Sequence, residues 1–232
     1  MSVNEKMTAI ADAIRDKTGG TEALTLDDMA AEIPKVYEEG KFAEREKFWD
    51  RLQSNGKPTR YYWRFAYSNW NDDIYNPKYD IVGEKASNAL GNTFYTSGIT
   101  DTKVAIDATR VPTGLDATFY WARKMQRIRK LIITETTTFK IAFTDCGALI
   151  SIDEIEGAIG NNLSLAWSTL LNKDSITNLI NALSTNTTGL TITLSKTAVN
   201  NAFGIDIDDD STWTFEWMAL RDTKSNWTFA YN

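Results

Sequence analysis

The chain of 232 residues contains no histidine. That absence removes the commonest general base, the commonest metal ligand and the usual switch near neutral pH, and it excludes every Ser-His-Asp or Cys-His arrangement. Cysteine is almost missing too: Cys146 has no partner for an internal disulfide and no second soft ligand with which to hold zinc. No apolar run approaches the length that spans a bilayer. The opening residues MSVNEKMTAIADAIRDK carry a charge every few positions and lack the apolar core of a secretory signal, so export by the ordinary secretory route is not expected. No Gly-rich phosphate loop or nucleotide fingerprint occurs. Positive charge is in deficit, with 25 Lys and Arg against 31 Asp and Glu and a net charge of -6. Neither nucleic-acid binding nor membrane insertion is expected of such a chain.

What the chain does have is enough apolar residues for a core, 42% with 12% aromatic, and a repeat. Phe94, Phe119, Phe143 and Trp167 are separated by 25, 24 and 24 residues. The two middle copies agree internally: Phe119, Met125, Ile128 and Leu131 share their offsets with Phe143, Leu149, Ile152 and Ile155. A fixed period of this length predicts a solenoid, in which each repeat is too small to bury its own apolar face and leans on its neighbours. Cys146 falls at an inward position of the third copy and reads as a small hydrophobe in a narrow interior.

Around the repeats, Met7, Ile10, Ala11 and Ile14 predict a short amphipathic helix over 4–17, stopped by Gly19 and Gly20. A second helix is predicted from Thr25, carrying Met29, Ala30 and Ile33 inward before Pro34. From 35 to 53 the segment is charged all round; Phe42, Trp49 and Leu52 keep a 7 and 3 spacing, compatible with self-association or with packing on the same chain. Tyr61, Trp63, Phe65 and Tyr67 alternate as on a half-buried strand. These aromatics cover the open end of the solenoid in one reading. In the other, Trp70 and Tyr75, off the alternation and beside Asn and Asp groups, present stacking surfaces for sugar rings. The last repeat replaces its turn with a helix lined by Ile176, Leu179, Ile180 and Leu183, with Asp174 placed to cap it, before a strand at 190–194. The tail reads as a closing unit: a capped helix SKTAVNNAF, an acidic loop, a helix marked by Trp213, Trp217 and Leu220, and a strand with Trp227, Phe229 and Tyr231. The divisions are 1–55 helical attachment and oligomerisation segment, 56–85 aromatic N-terminal cap, 86–203 solenoid and 204–232 C-terminal cap, an α+β class overall.

Three clusters could carry chemistry. Asp206, Asp208, Asp209 and Asp210 suggest calcium, but the glycine and glutamate of an EF-hand loop are replaced by Ser211 and Trp217, so a solvated acidic loop is expected and no metal site is assigned. Arg123, Lys124 and Arg127, extended by Arg129 and Lys130, could grip an anionic polymer or form the wet side of the repeat whose dry side is Met125, Ile128 and Leu131. Asp153, Glu154 and Glu156 are carboxylates of the kind glycosidases pair, with nothing to raise one pKa and leave the other low. No catalytic residue and no cofactor is therefore assigned, and the chain is not expected to be an enzyme.

The block AFTDCGALISI, with its counterpart TFYWARKMQRIRKLII, resembles the BspA-type leucine-rich repeat, in which an aromatic, a cysteine and two aliphatics recur at this spacing. The flanks IADAIRDKTGGTEALTLDDMAAEI, FWDRLQSNGKPTRYYWRFA with YNPKYDI, and LSKTAVNNAF with EWMALRDTKSNWTF resemble leucine-rich-repeat proteins encoded among tail genes of phages and prophages of gut Firmicutes. This resemblance implies a virion component at a tail tip, baseplate or fibre. Its N-terminal helices would attach it to other tail proteins, and its solenoid would contact a host glycan or surface protein, with a homo-oligomer, a trimer by preference, as the working form. A bacterial cell-surface adhesin built on the same repeats is the alternative. The resemblance carries no catalytic residues.

Overall fold

The structure, a computed structural model, describes residues 3–18, 57–67, 70–73 and 75–232. The chain forms two compact units, Met1–Leu52 and Gln53–Asn232. In the first, helix α1 runs Val3–Thr18, with Ala11 and Ile14 buried and Ile10 45% exposed. The helices expected from Thr25 and across 35–53 lie outside the described residues.

The second unit is a parallel β-solenoid of about five turns. Strands β1 (Ile81–Val82), β2 (Ala105–Asp107), β4 (Lys130–Ile132) and β6 (Ile155–Glu156) stack in parallel, placing Ile81, Ile106, Leu131 and Ile155 in one column. A second face carries β3 (Arg127–Ile128) on β5 (Ser151–Ile152), and a bridge from Asp101 to Arg127 extends it. The short strand expected around Ile152 to Ile155 is thus two strands on two faces. Pairing begins at Thr59, which bridges Gly83, so coiling starts well before residue 86.

The third face explains the phenylalanine period. It is built of overlapping turns in which alternate amides close a turn within the coil while the others donate to the neighbouring coil. Arg64 N–H reaches Tyr61 O, whereas Trp63, Phe65 and Tyr67 reach Gly91, Thr93 and Tyr95. Such a path needs left-handed residues at regular steps, and they flank each phenylalanine two positions away. Trp63 and Tyr67 surround Phe65, Asn92 and Thr96 surround Phe94, Ala117 and Trp121 surround Phe119, and Ile141 and Asp145 surround Phe143. Positive φ in residues such as Thr96 and Ile141 costs about 1–2 kcal/mol each. The stacked coils oppose that cost with inter-coil hydrogen bonds and a buried ring per turn.

The rings stack. Phe94 lies 5.2 Å from Phe119 at 5°, Phe119 lies 5.4 Å from Phe143 at 9°, and Phe65 adds to the other end at 5.6 Å from Phe94. The column therefore has four rings, but the fourth is Phe65 and not Trp167, which is 54% exposed. At Trp167 the turn face has become a strand, β7 (Leu163–Leu165), and Leu163 and Leu165 fill the interior. The expected strand at 61–67 fails for a related reason: in these turns side chains repeat every four residues. Tyr61 and Phe65 point inward and Trp63 and Tyr67 outward, where an extended strand would have put all four on one side.

Beyond β7 the same face continues as a parallel sheet in the order β7, β8 (Leu190–Leu194) and β9 (Trp227–Tyr231). Helix α2 (Lys173–Ala182) packs on β5 and β6, taking over the other two faces. Its N-cap is Asn172, whose side chain accepts from Ser175 N–H; Asp174 sits inside the first turn. Helices α3 (Lys196–Phe203) and α4 (Phe215–Asp222) pack on α2, the first capped by Ser195 and ended by left-handed Gly204, the second capped by Thr214. Gly157, at φ 103, is required where it stands, because a Cβ there would lie 2.1 Å from Ile133 O.

Candidate functional site

The outward positions of the turn face form the most distinctive surface of the second unit. Trp63 and Tyr67 are 36% and 59% exposed and lie 5.7 Å apart at 20°. Tyr95 closes against them at 5.1 and 5.9 Å, then meets Tyr120 at 5.7 Å and Trp121 at 6.0 Å on the next coil. Tyr62 joins Trp63 at one margin, with the Arg60 guanidinium 5.6 Å above its ring. At the other margin Arg123 lies 4.5 Å over Trp121 and donates to Asp145 Oδ2 at 2.7 Å through Nε. The result is a band of tyrosine and tryptophan across three coils, half-buried towards Trp121 and open at Trp63 and Tyr67. Such rings offer apolar area with a polar handle and little side-chain entropy to lose on binding.

The residues singled out in the sequence fall elsewhere, Arg123 excepted. Tyr75 is fully buried: its ring packs 5.2 Å from Phe65, its hydroxyl donates to Thr102 O at 2.9 Å, and burial pushes its pKa well above the ordinary tyrosine value. It has no face open to a sugar. Trp70 is half-buried, edge-on to Phe65 at 5.2 Å. Stacking surfaces exist, but on Trp63 and Tyr67, two of the aromatics expected to cover the open end of the solenoid.

The basic run lies along the coils facing acids one repeat away. Arg123 pairs with Asp145, Arg127 with Asp153 at 2.6 Å and Arg129 with Asp101 at 2.5 Å. Burial works against the Asp101 carboxylate, but hydrogen bonds from Arg129 and the Lys103 amide outweigh it and hold its pKa below the usual range. Lys124 is exposed on the same edge. Lys130 reaches Glu154 and Glu156 at 2.7 Å each, and these two bonds raise its pKa. One ammonium thus grips both candidate carboxylates. Glu154 lines a hollow of about 290 Å³ with Asp153, Gly157, Asn178 and Asn181, where Asn178 Nδ2 already donates to Asp153 O at 2.8 Å.

Cys146 is buried, its thiol donating to Phe119 O at 2.9 Å, and burial pushes its pKa up to about 12. It is a packed hydrophobe, not a nucleophile. In the acidic loop, Asp206 and Asp209 accept from the amides of Asp208 and Ser211, and Asp208 pairs with Lys196 at 2.9 Å. Among the described residues no cluster of three or more acidic or cysteine side chains is placed to hold a metal ion.

Compared with family models, with curated proteins and with solved structures, the chain matches none of them. The geometry of this chain and the resemblance of its repeats therefore carry the functional reading together. The aromatic band has a signal in the sequence: aromatics stand two residues either side of Phe65, and Tyr95 and Tyr120 each follow a core phenylalanine directly.

Proposed function

We propose that this chain is a tail-associated virion protein of the kind its repeats resemble, contacting a bacterial surface glycan through the outer wall of the solenoid. The observation that carries the reading is the open Trp63–Tyr67 pair, continuous with Tyr95, Tyr120 and Trp121 across three coils. A sugar presents C–H groups to an aromatic face and hydroxyls to the groups around it, and Tyr, Trp and Arg123 answer both needs. The ion pairs along the basic run favour a neutral glycan over an anionic one, since Arg123 and Arg127 are already matched by Asp145 and Asp153. Each contact is weak, so several copies on one particle, attached through the N-terminal segment to other tail proteins, would supply the affinity through effective concentration. The role is binding; Glu154 and Glu156 are held by Lys130 as a structural pair.

The test is retention of the purified chain on cell-wall polysaccharide from a panel of Gram-positive bacteria. Wild type is expected to bind at least one preparation, and Trp63→Ala with Tyr67→Ala to lose most of that binding while unfolding at the same urea concentration. Equal binding by the double variant overturns the reading.

A further inference from the structure

Among the described residues, one strand of the solenoid sheet has a free backbone edge. Among these residues strand β9 pairs only with β8, in parallel, with Leu190 opposite Trp227 and Leu194 opposite Tyr231. Asn232 N–H donates to Leu194 O and Asn232 O accepts from Lys196 N–H, which fixes the alternation of the strand. Thr228, Ala230 and Asn232 turn their amides and carbonyls to β8, and Trp227, Phe229 and Tyr231 turn theirs away. Trp227 N–H is satisfied by Lys224 O at 2.9 Å. The Trp227 carbonyl and both backbone groups of Phe229 and Tyr231 have no hydrogen-bond partner among the described residues. The strand, Trp-Thr-Phe-Ala-Tyr, has no charge, no proline and no bulge, the devices by which natural edges are kept from pairing. The edge is five residues long where most strands of this solenoid have two or three.

We propose that β9 is a homotypic interface, adding antiparallel to the β9 of a second copy about a two-fold axis through Phe229. The choice of occupant follows from self-complementarity. Antiparallel pairing centred on Phe229 lets the two Phe229 residues exchange both of their bonds and lets each Tyr231 N–H donate to the Trp227 carbonyl opposite. Every outward amide of the strand that lacks a partner is then satisfied. A two-fold interface needs such a self-matching patch, and an uncharged strand meets its own copy without repulsion. Trp217 lies 6.4 Å from both Phe229 and Tyr231, so these side chains occupy the helix-covered face of the sheet. Thr228 and Ala230 project from the opposite face, and in the pair Thr228 of one copy stands beside Ala230 of the other. The interface is separate from the aromatic band and does not depend on the proposed ligand. The contact is small, so the association is weak and concentration-dependent.

The test uses the full chain and two variants that leave the helix-covered face untouched. Thr228→Lys with Ala230→Lys sets lysine against lysine twice across the junction, whereas Thr228→Lys with Ala230→Glu sets lysine against glutamate. Hydrogen exchange resolved to Phe229 and Tyr231 is followed as concentration rises, alongside sedimentation. Wild type and the Lys/Glu variant are expected to protect both amides at high concentration, and the Lys/Lys variant to weaken association roughly tenfold and leave them exchanging freely. Free exchange of these amides in wild type at the highest concentration overturns the proposal. So does equal protection in the two variants, which would assign the protection to something other than a second β9.

Discussion

Replacing Phe119 with alanine tests the stacked column where it is most enclosed. The ring has no solvent exposure and lies between Phe94 at 5.2 Å and Phe143 at 5.4 Å, nearly parallel to both. Truncating a buried phenylalanine typically costs about 3–5 kcal/mol through lost transfer energy and the cavity left behind. Loss of two aromatic stacks places this site towards the upper part of that range. The Cys146 thiol donates to Phe119 O, so backbone relaxation around the cavity would also disturb the neighbouring coil. Against a usual domain stability of about 5–15 kcal/mol, such a loss is severe but measurable. Phe119→Leu, which leaves a smaller cavity, is a milder companion should the alanine variant not fold. Trp167→Ala is the control, because the 24-residue spacing makes Trp167 the equivalent of Phe119 in sequence, while the structure leaves it 54% exposed. Its cost should stay within about 0.5 kcal/mol, as for other surface changes. Urea unfolding followed by circular dichroism reads both. Equal losses at the two positions, or a loss below about 1 kcal/mol for Phe119→Ala, would refute the stacking argument.

Further outcomes follow from the same geometry. Cys146 should ignore a thiol reagent in the folded protein at pH 8 and react at once in guanidinium, since burial pushes its pKa to about 12; rapid labelling of the native chain would contradict its packing. Asp101→Asn should destabilise by about 1 kcal/mol or less at neutral pH, because its partner Arg129 is 39% exposed and solvent screens the pair. The folded pKa of Asp101 lies below the ordinary aspartate value, so its contribution is present above that ordinary value and fades as pH falls through the folded pKa. The gap between wild type and Asp101→Asn in thermal melts should accordingly close under acid, and a gap that widens there would be wrong in sign. Lys224 is 8% exposed and donates to Asn181 O at 3.0 Å and to Leu183 O at the end of α2. Lys224→Met should cost about 1–3 kcal/mol in urea unfolding by leaving those carbonyls unpaired, and an unchanged midpoint would show that water replaces it.

The period was legible because each coil spends one phenylalanine at a fixed place, and Met125, Ile128, Leu149 and Ile152 are all buried as their shared offsets required. Phe65 was hidden by its 29-residue distance from Phe94, longer than the later spacings. Trp167 keeps the period in the sequence although the turns have by then given way to β7. Alternation of aromatics is the signal of a strand with Tyr61, Trp63, Phe65 and Tyr67 on one side, whereas overlapping turns with left-handed residues have a period of four and separate the two pairs. The ion pairs were recoverable in principle: Asp101, Asp145 and Asp153 lie 28, 22 and 26 residues from Arg129, Arg123 and Arg127, about one coil away in each case. The alternation of Trp227, Phe229 and Tyr231 did predict β9, but a strand pattern says nothing of which backbone edge is left open.

The coil itself is tested most directly by joining two of its turns. Arg127 and Ser151 are register partners in β3 and β5, where adjacent strands put Cα atoms about 4.8 Å apart, inside the range that a disulfide bridges. In a Cys146→Ser background, cysteines at 127 and 151 should cross-link within one chain under mild oxidation, and cysteines at 127 and 140 should not. Failure of the first pair, or equal cross-linking of both, would contradict the stacked solenoid.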